Sequence, residues 1–225
     1  MLFRSIPAAP VPERRRAAEP PQRGERRVIV ERQGATAYLK FAWHAPAALD
    51  ADFCPMLVLD AALTGAKGLN LWTSFRGAPP QRRARLYTAL VEGGVASSVS
   101  GALLATRDPF VYNVSLTAMD GVGLETVEES ALHAIEIVRE KGLTEEEVAR
   151  AKRQLRARMV FENDSVTNVA HQIGYFETVV GPGYLEELGS KLHAVTAAQV
   201  ADVAARLLSK DRRTVGWFQP LKERA

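Results

Sequence analysis

Hydrophobic positions recur along this chain with two periods, and each change of period marks a new element. Residues 27–32 (RVIVER) alternate and are rich in β-branched side chains, which predicts a strand. Residues 36–44 form a second, given aromatic character by Tyr38, Phe41 and Trp43, and Gly34 between the two suits a tight connection. An apolar helix follows over residues 53–63, capped by Asp50 or Asp52 and stopping near Gly65. Residues 66–80 carry Gly near both ends and close on Pro-Pro, so they read as a loop with one or two apolar anchors. A helix is expected over residues 81–92, with Leu86, Ala89 and Leu90 at helical spacing and Gly93-Gly94 as its stop. Residues 97–105 and 110–119 then alternate as two strands joined by a short turn.

The second half of the chain is helical. Residues 124–141 are amphipathic on Val127, Ala131, Ala134, Ile135 and Val138, and Gly142 ends them. Thr144 with Glu147 makes a capping box for a long helix that bends or breaks near residues 162–165 and resumes to residue 180. Gly181-Pro-Gly183 is a sharp stop, two shorter helices cover residues 184–193 and 196–208, and a last strand covers 213–218. Strands in adjacent pairs, with helices grouped apart, predict an α+β fold: an antiparallel or mixed sheet with helices packed on one face. The order does not alternate as βαβ units do, which argues against a doubly wound nucleotide fold.

Composition changes this picture in one place. The net charge is +3 over 225 residues, but residues 1–27 hold seven Arg and three Glu, so the basicity lies in the N-terminal segment. That segment also carries five of the twelve prolines and reads as a linker or arm over residues 1–26, ahead of a domain over 27–220 and a tail over 221–225. A folded nucleic-acid-binding face is therefore not expected. No apolar run reaches the roughly 18–20 residues that span a bilayer. The single cysteine, Cys54, excludes an internal disulfide and reads as a core residue.

Candidate chemistry is sparse. His133 and Glu136 make half of a helical metal motif, but the position that needs a second His is Ile137. His44 and His171 read as structural histidines. Ser97, Ser98 and Ser100 sit in a strand without a nucleophile elbow. Gly65-Ala-Lys-Gly68 is too short for a phosphate-binding loop.

Two segments carry a family likeness: ATAYLKFAWHAPAALDADFCPMLVLDAALTG (35–65), a strand turning into a buried helix, and RLYTALVEGGVASSVSG (85–101), a helix turning through Gly-Gly into a small-residue strand. Together they resemble the repeating half-unit of the pitrilysin/insulinase zinc peptidases. The likeness runs over residues 7–220, and the body is similar to the second, non-zinc half of bacterial processing-peptidase-like members. The arm resembles the linker between their halves. The resemblance implies two related halves closing around a peptide chamber, with this chain as the non-catalytic wall. The zinc motif of the catalytic half would fall on Leu57, Asp60 and Ala61, and the Arg and Tyr that the second half contributes would fall on Val91 and Ser97. None of these side chains can take those roles. No catalytic residue, metal ligand or cofactor is expected in this chain, and zinc is expected in the partner half. Arg85, Ser97 and Ser98 remain as substrate-contact candidates, with Arg85 alternatively a solvated helix charge. The implied partners are a zinc-bearing peptidase half, on the same native chain or a separate subunit, or a second copy in a homodimer, together with a peptide substrate. The implied setting is soluble, in a bacterial cytoplasm or periplasm. The alternative is a scaffold or assembly subunit that keeps the fold without proteolysis.

Overall fold

The computed structural model describes Ala9 and residues 19–68, 81–181 and 183–221. The expected loop over residues 66–80 therefore falls mostly outside the described residues. Five strands form one sheet in the order β1-β5-β2-β4-β3. They are β1 (Arg26–Gln33), β2 (Tyr38–Ala45), β3 (Ala96–Ala102), β4 (Phe110–Ala118) and β5 (Arg213–Leu221). β1 runs parallel to β5, and the other pairings are antiparallel. The sheet is mixed, as expected.

Alternation decides which face is covered. Leu39, Phe41 and Trp43 of β2 stand opposite Leu116, Val114 and Tyr112 of β4, and all six are buried. Tyr38 and Lys40, on the other face, are exposed. The covered face packs on α1 (Phe53–Thr64), α2 (Leu124–Lys141) and α6 (Ala197–Leu207). Of the remaining helices, α3 (Glu145–Glu162) and α5 (Tyr184–Ala194) pack on α1, and α4 (Val166–Val179) packs on α5. Helices on one face of the sheet is the predicted α+β arrangement. α1 has no polar stripe because it is enclosed: eleven of its twelve residues are buried. Cys54 lies within it, and burial pushes its thiol up to about 11.

Three expectations change. The strand after Gly93-Gly94 stops at Ala102, not at residue 105. The helix expected over residues 81–92 is shorter and widens into a π-helical turn over Tyr87–Glu92. Its exit bond, from the Val95 N–H to the Leu90 carbonyl at 2.8 Å, spans five residues. Gly94, with φ of 70°, then turns the chain into β3. β1 and β2 are not hydrogen-bonded neighbours despite the short connection through Gly34, because β5 lies between them. Gly34 packs against the Phe218 ring of β5 instead.

The end of the arm is also tied down. Glu25 binds the buried Arg213 of β5, and Gln22 donates to the Arg213 carbonyl at 2.8 Å. Arg27 binds Glu128 of α2, whose carboxylate also accepts from the Trp217 indole at 2.7 Å.

Candidate functional site

The helix that would carry a zinc motif is α1, and its three relevant positions are dry. Leu57 and Ala61 are buried among apolar side chains. Asp60, only 3% exposed, is enclosed by its own hydrogen bonds. Its carboxylate accepts from the Thr64 hydroxyl at 2.6 Å, the Tyr112 hydroxyl at 3.0 Å and the Lys67 ammonium at 3.0 Å. A buried carboxylate needs such partners, since an unpaired charge in a low-dielectric interior is costly. Burial, and then the adjacent Asp60 charge, hold the Tyr112 phenol well above its ordinary range, so it stays a donor.

The cluster depends on two local backbone features. Gly65, with φ of 97°, turns the chain at the end of α1 and brings Lys67 back over Asp60. Gly101 of β3 lies against the cluster, where a Cβ would overlap Asp60 and Thr64. The residues present do not fit zinc. Leu57 and Ala61 offer no donor atom, and the one acid already has a cation. Among the described residues no three His, Cys, Asp or Glu side chains converge. His133 and Glu136 lie apart from any such group, and Glu136 is bound to Arg139 at 2.6 Å.

β3 is an edge strand. Among the described residues it pairs only with β4, so its outer side is open to a further strand. Ser97 and Ser98 are exposed on it. The Ser98 hydroxyl donates to Thr117 Oγ1 at 2.9 Å and that of Ser97 to the Thr117 carbonyl at 3.4 Å. Arg85 forms an ion pair within the domain. Its guanidinium forms a fork on the Glu147 carboxylate at 2.6 and 2.9 Å, linking the segment before the π-turn to the capping box of α3. That hydrogen-bonded pair raises the Arg85 pKa and lowers the Glu147 carboxyl to about 2. The two serines therefore share one edge, and Arg85 lies in an ion pair with Glu147 of α3. Sequence reading missed Lys67, Thr64 and Tyr112. Thr64 stands one turn from Asp60 on the same helix, which was a usable signal, whereas Lys67 and Tyr112 arrive by tertiary folding.

The sheet and its helices make an α+β domain in which neither Leu57 nor Ala61 of α1 offers a metal-donor atom. The profile described as the Peptidase M16 inactive domain matches residues 1–155. The chain belongs to this peptidase family, as its inactive domain. Solved structures share the fold at low identity. A protease from Helicobacter pylori superposes with a TM-score of 0.81 at 16% identity, over 96% of this chain and 48% of the other. A peptidase M16 inactive domain from Pseudomonas fluorescens gives 0.74 at 18%, over 96% and 47%. An inactive peptidase domain from Bordetella parapertussis gives 0.71 at 18%, over 85% of this chain and 97% of the other. The chain thus spans about half the length of the first two. No curated protein sequence matches it.

Proposed function

We propose that this domain is the non-catalytic half of a zinc-dependent peptidase, forming one wall of a peptide-binding chamber. The observation that carries the reading is α1. By the family resemblance it would hold the position of the zinc-motif helix, and it has Leu57 and Ala61 in the core and Asp60 closed by Lys67. Zinc, the attacking water and the general base would come from the other half. This domain's contribution would be binding. The free edge of β3 can take an extended peptide as an added strand, with main-chain hydrogen bonds for affinity. Ser97 and Ser98 would border that peptide. Arg85, through Glu147, would fix the turn that launches β3 and so position the edge.

Mixing tests this. The purified domain and a zinc-bearing half from the same family, each inactive alone on a fluorogenic peptide, should together cleave it. Stoichiometric zinc and cleavage in this chain alone would overturn the reading. Stable association with the zinc-bearing half without any gain in cleavage would assign the domain to scaffold work instead.

A further inference from the structure

α3 and α5 splay apart and leave between them an open groove of about 850 Å³. Met159 and Leu192 form its apolar floor. Lys152 braces the two walls, donating to the carbonyls of His193 in the last turn of α5 at 2.6 Å and of Val195 just beyond it at 2.7 Å. Gly189 widens the groove, since nothing lies within 4 Å of where its Cβ would stand. The apolar surface continues past the mouth over Val160, 64% exposed, and Phe161, 72% exposed. These two residues line a second hollow of about 340 Å³ with Arg153 and Arg156. Contiguous exposed apolar surface of this kind marks interaction sites. It stands apart from the β3 edge and owes nothing to the chamber reading.

The rim decides what fits. Arg153 and Arg156 are exposed, one turn apart on α3, and neither has an ion-pair or hydrogen-bond partner among the described residues. With Lys152 they set three cations against one acid, Glu186, on the lining. We propose that this groove docks an amphipathic acidic helix of a partner protein. Its apolar side chains would lie on Met159, Val160 and Leu192, and its carboxylates would pair with Arg153 and Arg156. The chain's own N-terminal arm is a poor occupant because residues 1–27 carry seven Arg against three Glu. A bilayer is a poor occupant because the apolar floor lies between two helical walls. Guanidiniums without a partner among the described residues can form forked bonds to carboxylates and leave the described ion pairs intact.

The test uses a fluorescein-labelled 18-residue model helix with Leu on one face and Glu on the other, and a counterpart in which every Glu is Lys. In fluorescence anisotropy the Glu peptide should bind and the Lys peptide should not, and the binding should weaken as salt screens the pairs. Arg153→Glu with Arg156→Glu should weaken it by about tenfold or more. Gly189→Phe, which leaves every charge in place and fills the groove, should weaken it as well. Both variants alter exposed positions, so their circular dichroism and thermal melts should match the parent. Equal binding of the two peptides, or parent-like binding by both variants, would overturn the proposal. So would tight binding to phosphatidylserine vesicles that Gly189→Phe leaves intact while neither peptide binds, which would make the surface a membrane contact.

Discussion

Lys67 holds its ammonium 3.0 Å from a carboxylate that is almost wholly enclosed, and the two charges are stable only together. Removing the lysine should leave Asp60 as an unpaired buried charge. Breaking a buried pair in this way costs about 3 kcal/mol. Lys67→Met should therefore lower the thermal midpoint markedly near neutral pH. Asp60→Asn combined with Lys67→Met should recover most of the loss, because Asn still accepts from Tyr112 and Thr64. A parent-like melt for Lys67→Met would show that water, not the lysine, satisfies the acid. Of this cluster only Asp60 and Thr64, one helical turn apart, were within reach of the residue pattern. Lys67 lies seven positions from Asp60, and only the positive φ at Gly65 folds it back. Tyr112 reads as one more core aromatic of an alternating strand until the fold sets its hydroxyl on the acid.

Helix ends were far easier to read than strand partners or helix type. Thr144 and Glu147 form the capping box their spacing announced, and Ser165 caps α4 at the expected break. Both are local chemistry within one turn. The π-turn over Tyr87–Glu92 was not legible, because its wide exit bond to Leu90 arises where Gly93-Gly94 release the chain toward β3. That turn is braced by the bond from Arg85 to Glu147, and the bond has a pH signature. Glu147 titrates near 2 in the folded protein because Arg85 and Thr144 favour its charged form, while an unfolded Glu titrates at about 4.3. A depressed folded value adds stability that is complete above the unfolded value and fades as the pH falls toward 2. Gln at this position keeps the capping box and loses the charge. Glu147→Gln should thus cost about 1 kcal/mol at pH 7, as a partly exposed forked pair would. The deficit should shrink steadily below about pH 4. Urea unfolding at pH 7 and pH 2.5 measures this, and a deficit that is independent of pH would rule out the ion pair as its source.

β5 is the last strand in the chain and yet sits inside the sheet, between the first two. The short connection through Gly34 made β1 and β2 look like partners, since local sequence carries no record of a strand that arrives some 175 residues later. β1 itself is exposed along its full length, and its only hydrogen-bonded neighbour among the described residues is β5. On the face that packs against the helices, β5 supplies the buried Val215 opposite Phe41 and the buried Arg213 that Glu25 pairs. The two ends of the domain therefore close on each other. A chain stopped after Ser209 would leave β1 without a neighbour, β2 with an open edge, and Glu25 without Arg213. Such non-local closure must be complete before its contacts offset the ordering entropy. The truncated chain should lack a cooperative urea transition and should aggregate through its open edges. Val28→Asp, on exposed β1, should stay within about 0.5 kcal/mol of the parent. Val215→Asp, at the centre of the sheet, should abolish cooperative unfolding. A sharp two-state transition in the chain lacking β5 would mean that β2, β3, β4 and the helices form an independent core and that the last strand only docks on it.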